Sequence, residues 1–394
     1  VVDSPSIVAR DLSTNKIIAV GREAQLMQGK TYERIKTVRP LKDGVIADFD
    51  ASEQMINAFI RSIPPLKRRF FSPSLKIVVC IPSGITEVEM RAVRESCERV
   101  NGKEIFLIYE PMAAAIGIGL DIMQAKGNMI IDIGGGTAEI AVISLGGIVC
   151  DKSVKIAGDV FTNDIIYYMR TRHNLYIGET TAENIKINTG AAIEDIDSPP
   201  DPMLVQGRDL LTGKPKQVEI SHREVAKALD KSILRIEDAI METLSQTPPE
   251  LAADIYNTGI YMAGGGSMLR GLDKRISMRT DLPVYVAEDP LRAVVRGTGI
   301  TLKNIEKFKT ILMKCMRLIL LFFKRQKDFL LFLLLFAFSF SFVLGGNSFQ
   351  QSKFLYIASD VVGDIYLLRS GVQEYFSLKQ QNEQLTKENK QLHE

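Results

Sequence analysis

The chain is short of the residues that most often announce a site. Its four cysteines, Cys80, Cys97, Cys150 and Cys315, lie far apart and form no CxxC pair. That excludes a zinc ribbon or a disulfide framework and suits a reducing compartment. The three histidines, His173, His222 and His393, have no ligand spacing. Neither charge sign dominates: 49 Lys and Arg balance 47 Asp and Glu. No global field therefore points to nucleic acid, and none is expected as a partner. Glycine and proline are scattered, so most of the 394 residues should fold, enough for two or more domains. The first residues carry no signal-peptide pattern, and a chain opening on Val1 is expected to have its natural start upstream.

Two familiar phosphate motifs are missing as well. Gly29-Lys30-Thr31 looks like the end of a P-loop, but Ala24 stands where its first glycine must be. No GxGxxG follows a strand, so a Rossmann dinucleotide site is not expected.

What is present begins at Asp132-Ile133-Gly134-Gly135-Gly136-Thr137, between apolar Met129-Ile130-Ile131 and alternating Ala138 to Ile143. This reads as strand, glycine turn, strand. Three glycines leave backbone N–H groups uncovered and allow positive φ, so the turn can cradle an anion; it can equally be a ligand-free hairpin. Asp132 can hold a cation and Thr137 can bond an oxygen or a water. A second glycine turn, Gly264-Gly265-Gly266-Ser267, follows apolar Ile260 to Ala263, and two such turns can close on one nucleotide from opposite sides. Between them, Thr180 can cap a helix on which Glu183 and Lys186, three apart, share a face. That pair can bond a ribose and a base edge, or be an ordinary surface ion pair. Glu110 ends a strand, held extended by Pro111. Beside a phosphate it can orient water; alone it is a helix-start charge favoured by the dipole.

Up to about residue 314 strands alternate with helices, which indicates sheets covered by helices. Strands are expected at 75–81 and 104–109. Helices are expected at 86–100, with a Thr86/Glu89 capping box, at 111–120, 159–172, 180–189 and 221–244, and from about 267 and 290. At Met316 the character changes. Lys324 to Asp328 is a charged knot, and Phe329 to Leu344 carries no charge over 16 residues. Extended to Phe349, that run reaches about 31 Å as a helix, enough for a ~30 Å hydrocarbon core. A membrane span over 329–349 is favoured over a buried core helix, with 1–328 on the cytoplasmic side and 350–394 outside. Leu378, Leu385 and Leu392 recur every seven residues, with Asn382 and Asn389 on the complementary seam, as in a parallel coiled coil or a solvated amphipathic helix.

Together these motifs resemble one family. Asp132 to Thr137, Glu110-Pro111-Met112-Ala113-Ala114-Ala115, Gly178 to Lys186, the second glycine turn, Val38 to Asp48 and Asp3-Ser4-Pro5-Ser6 stand in the order found in MreB, the bacterial actin homologues that determine rod shape. The resemblance covers about residues 1–312. It implies an actin-like (actin/Hsp70/sugar kinase) two-domain α/β ATPase fold, domain I over 1–126 and domain II with returning helices over 127–314, and ATP with Mg²⁺ in the cleft. Asp132 would hold the metal through water. Gly134, Gly135, Gly136 and Thr137 would bind phosphate, Glu183 and Lys186 the nucleoside, and Gly264, Gly265 and Gly266 base and phosphate. Glu110 with Thr137 would position the hydrolytic water. The implied partners are the chain itself in antiparallel double filaments, the inner membrane face and the wall-synthesis machinery. Phe70-Phe71, flanked by Lys67-Arg68-Arg69, is either a membrane-inserting loop or a packed surface pair. From Met316 the tail resembles the start of MreC, a membrane partner of MreB, with 316–349 as tip and span and 350–394 as linker and coiled-coil start. It is either a true fusion or an artefact of read-through or assembly. Competing readings are a small-molecule kinase of the same fold and a nonenzymatic membrane scaffold.

The family opens with a first phosphate loop, and Val1 falls after it. Without that loop two charge-assisted hydrogen bonds of roughly 1.5–3 kcal/mol each are lost, weakening ATP by roughly 10²–10⁴-fold. The expected outcome is slower ATP hydrolysis by the chain as written than by a version with the loop restored, measured as phosphate release. Equal rates would refute it.

Overall fold

A computed structural model describes residues 2–42, 44–63, 75–315, 331–337 and 339–340. The chain divides into two units, Val1–Cys315 and Met316–Glu394. Of the second, residues 331–337 and 339–340 are helical, and the rings of Phe332, Phe336 and Phe340 follow one another at 6.1 Å, as a four-residue spacing dictates. Among the described residues no helix is long and apolar enough to cross a membrane. Most of the expected span at 329–349, all of the heptads, the MreC-like segment's coiled coil and Phe70-Phe71 lie outside the described residues.

The first unit is organised around two sheet systems. In one, the strands Leu75–Ile81 and Gly102–Tyr109 run parallel, and Met313–Cys315 adds antiparallel to the second of them. Ahead of it stand a small antiparallel sheet, with Val8–Asp11 between Lys16–Val20 and Ile35–Val38, and the hairpin Leu41–Lys42/Val45–Ile46. The other is a five-stranded sheet in the order Gly147–Val154, Ala138–Ser144, Asn128–Ile133, Ile260–Ala263, Val284–Val286. Its first three strands are antiparallel, and the last two join in parallel.

The central strand explains the position. Met129, Ile130, Ile131 and Ile133 are fully buried, so both faces of Asn128–Ile133 carry helices or core. Ala138–Ser144 is buried along its whole length too. The polar member of its alternation, Glu139, is inside as well. The long helix His222–Gln246 lays Val225, Leu229, Ile233, Ile236 and Ile240 against the sheet at three- and four-residue spacing. Thr86 and Glu89 form the expected capping box before Glu87–Arg99. The helix expected near 180 starts at Glu179 after Gly178 with no side-chain cap, so Thr180 is not its cap. The turns at Gly265–Met268 and Pro290–Arg292 are single 3₁₀ turns, and the α-helices begin beyond them, at Leu272–Thr280 and Ala293–Lys303.

The helix Glu110–Gly117 crosses Ala293–Lys303 at a distance that only glycine permits. A Cβ on Gly117 would stand 1.8 Å from the Ala293 carbonyl oxygen, and one on Gly297 would stand 1.8 Å from that of Ala113. Both obstructions are backbone, so neither can swing away. Gly297→Ala should therefore cost about 3 kcal/mol in chemical denaturation. Gly299→Ala, where a Cβ meets nothing within 4 Å, should be neutral or gain up to about 1 kcal/mol. Equal stability of the two variants would refute the packing argument.

Candidate functional site

The Asp132–Thr137 segment is the strand–turn–strand expected, with Asn128–Ile133 and Ala138–Ser144 paired antiparallel. The Gly134 N–H closes the turn on the Thr137 carbonyl at 2.9 Å. One expectation fails: none of Gly134, Gly135 and Gly136 has a positive φ. Their contribution is room. A Cβ on Gly135 would meet nothing within 4 Å, so the turn faces open space. Its carbonyls are already engaged. Gly134 O accepts from the Gly158 N–H at 3.1 Å and Gly135 O from the Asp159 N–H at 2.7 Å, tying the turn to the start of the helix Gly158–Arg172.

The second glycine turn lies beside the first rather than opposite it. Ala263 pairs in parallel register with Asp132, so both turns leave the carboxyl ends of neighbouring strands, where open α/β sheets bind ligands. Here glycine is required. Gly264 has φ +79°, and a Cβ on it would lie 2.3 Å from the Ile133 carbonyl oxygen and 2.4 Å from Asp132 Oδ1. Gly266 meets the Ile133 side chain at 2.3 Å in the same construction, and Gly265 meets Leu291 at 2.9 Å.

Two carboxylates stand at this end of the sheets. Asp132 is buried; burial, then repulsion by Glu139, pushes its pKa up to about 7. Glu110 is pushed up to about 8, first by burial and then by Asp132 and Glu139. Glu110 is also corrected in place: it is the first residue of its helix, and Tyr109 before it is the extended cap. Thr137 is buried, its methyl close to Gly44, which stands between the strands Leu41–Lys42 and Val45–Ile46.

Glu183 and Lys186 do pair, at 2.7 Å, and they reach the turn through a third residue. Lys186 Nζ donates to Gly158 O at 2.8 Å and to Thr162 Oγ1 at 3.0 Å, and Thr162 Oγ1 lies 2.7 Å from Glu183 Oε2. Sequence reading missed Thr162, whose only signal was its place one turn into a helix that opens on Gly158-Asp159. It also missed Glu139. Two contacts close the rim: Arg39 on Asp159 at 2.9 Å, and Gln28 on Glu179.

The residues present fit a magnesium nucleotide. Burial disfavours the ionised form of Asp132 and Glu110, which a cation would favour again, and the space before Gly135 is open. Among the described residues no three acidic, histidine or cysteine side chains gather as a metal cage.

Comparison with known proteins agrees with this geometry. The MreB/Mbl protein family matches residues 1–310. The Escherichia coli (strain K12) cell shape-determining protein MreB is 45% identical over 315 residues, covering 78% of this chain and 88% of that protein. The Bacillus subtilis (strain 168) cell shape-determining protein Mbl is 43% identical over 307 residues, covering 78% and 91%. The crystal structure of Spiroplasma citri MreB5 bound to AMPPNP superposes with TM-score 0.73 at 37% identity, covering 77% of this chain and 90% of that one. A MamK double helical filament, at 21% identity and TM-score 0.62 over 76% and 91%, shares the fold. The expected actin-like α/β fold is thus the observed one.

The raised Asp132 pKa has a sign that can be checked without nucleotide. Below about pH 3 the carboxyl is protonated folded and unfolded, and its burial costs nothing extra. Between pH 3.8 and about 7 the unfolded chain gives up the proton first, so stability falls as pH rises and the penalty is complete above about 7. Asp132→Asn should therefore be more stable than the parent at pH 8 by on the order of 4 kcal/mol, with the difference falling to about 1 kcal/mol at pH 4.5. Thermal unfolding of the nucleotide-free protein at both pH values tests this; an asparagine variant no more stable at pH 8 contradicts it.

Proposed function

The chain belongs to the MreB/Mbl family, and we propose that it is a nucleotide-switched cytoskeletal filament protein that helps determine rod cell shape. The observation that carries the reading is the open Asp132–Thr137 turn beside buried Asp132 and half-buried Glu110, whose pKa values are raised. The relatives named above are cell shape-determining proteins, and MreB5 has been crystallised with both AMPPNP and ADP.

In this reading residues 1–126 and 127–314 are the two domains that enclose ATP. Gly134, Gly135, Gly136 and Thr137 take the phosphates, and Gly264, Gly265 and Gly266 line base and phosphate. Glu183 and Lys186 meet the nucleoside. Asp132 would hold Mg²⁺, which would supply neutralisation of phosphate charge. Glu110 and the Thr137 hydroxyl together position the attacking water. Hydrolysis is slow and regulates the polymer. Filaments are double and antiparallel, lie on the inner membrane face and organise wall synthesis with MreC- and MreD-type partners. The uncharged run from Phe329 supports a membrane anchor in the tail.

Sedimentation of the whole chain on liposomes, with and without ATP and Mg²⁺, should give nucleotide-dependent pelleting. Thr137→Ala and Glu110→Ala should bind ATP yet release phosphate roughly 10²-fold more slowly or worse. Pelleting indifferent to nucleotide would overturn the switch, and unchanged phosphate release in both variants would remove these residues from the chemistry.

A further inference from the structure

Glu139 is fully buried on the strand Ala138–Ser144, and Thr137 is the last residue of the turn that leads directly into that strand, two residues before it. On that strand it lies between Asp132 on one neighbour and Ser153 on the other. Its carboxylate is fully employed. Oε1 accepts from the Ser153 hydroxyl at 2.6 Å. Oε2 accepts from the Ser83 backbone N–H at 3.0 Å and from the Ser83 hydroxyl at 2.7 Å.

Ser83 belongs to the other sheet system, in the turn Pro82-Ser83-Gly84 that follows Leu75–Ile81. One buried carboxylate thus ties a strand of the five-stranded sheet to the end of a strand in the parallel pair. The approach around it is tight and depends on small residues. A Cβ on Gly84 would stand 3.0 Å from the Ser153 Cβ. A Cβ on Gly44 would stand 3.0 Å from the Pro82 ring and 3.1 Å from the Thr137 methyl. The seam therefore runs continuously from the glycine turn, through Thr137 and Glu139, to Ser83. Charge-assisted hydrogen bonds to a desolvated carboxylate are strong, and two donors from one residue fix the relative placement of the two sheet systems.

We propose that the Glu139–Ser83 contact is the latch that couples nucleotide at the Asp132–Thr137 turn to closure of the two sheet systems, with Glu139 as a positioning residue. This rests on the reading that the turn holds nucleotide. A displacement of Thr137 toward a phosphate pulls on the strand it leads into, two residues before Glu139, and Glu139 carries the Ser83 turn. Glu139 itself touches no nucleotide in this scheme; its influence is on assembly-competent closure.

The test uses the whole chain as wild type, Glu139→Gln, Ser83→Ala and Ser83→Thr, with thermal unfolding to confirm folding. ATP affinity is read by fluorescence titration and assembly by ATP-dependent pelleting. Both Glu139→Gln and Ser83→Ala should keep ATP affinity within roughly threefold while ATP-dependent pelleting falls about tenfold, and Ser83→Thr, which retains both donors, should restore it. Hydrogen exchange at residues 82–86 should be slowed by ATP in the wild type and not in Glu139→Gln. If Glu139→Gln does not fold, Ser83→Ala decides. A wild type that binds no ATP removes the nucleotide reading and the latch with it. A wild type that binds and pellets, beside variants that pellet equally, overturns the latch alone.

Discussion

Negative charge held out of water is the constraint on which this structure depends. Asp132 and Glu139 face each other across paired strands, and Glu110 lies near enough to feel both. Burying an isolated carboxylate is too costly to leave uncompensated. The chain answers in two ways. Glu139 is satisfied internally, by three hydrogen-bond donors. Asp132 and Glu110 are instead relieved by protonation, their pKa values moved to about 7 and about 8. A carboxylate that must hold a proton to sit comfortably will exchange it for a cation, so the same burial that burdens the empty protein favours a charged ligand.

The frame exists to hold those groups in place. Asn128–Ile133 is central to its sheet and fully buried, which fixes Asp132. Glu110 is fixed differently, from the far end of its helix, where Gly117 and Gly297 let two backbones approach too closely for any side chain. The second glycine turn is fixed by Gly264, whose positive φ and contact with Asp132 leave no space for a Cβ. Close packing of backbone on backbone is stiff, so these contacts deliver a carboxylate or a turn with little freedom to drift.

Local signals were legible in the sequence and long-range ones were not. The glycine hairpin, the Thr86/Glu89 box and the pairing of Glu183 with Lys186 involve residues a few positions apart, where periodicity and spacing carry the information. Glu139 was not legible because alternation along Ala138–Ser144 implies a solvated face, and only the packing of both faces reveals a buried acid. The Gly117–Gly297 contact joins residues far apart in sequence, and nothing in either helix alone reports it. The two glycine turns were seen as opposed because sequence order does not tell that Ile260–Ala263 returns in parallel beside Asn128–Ile133. Positive φ was expected at Gly134–Gly136 from composition; the turn instead closes with its carbonyls on a helix start.

That helix start makes the turn a junction. Gly158 and Asp159 give their N–H groups to the turn, the Gly158 carbonyl takes Lys186, and the Asp159 carboxylate takes Arg39 from the opposite sheet system. The rim pair is half-exposed and individually weak. Glu139 to Ser83 is buried and strong by comparison. Any movement of the turn is therefore resisted unequally: the rim can give way at small cost, whereas the buried seam must move with the turn or break. A seam closed by two donors from one residue has few intermediate geometries, so in the proposed coupling a small shift at Thr137 becomes a choice between two placements of the sheets.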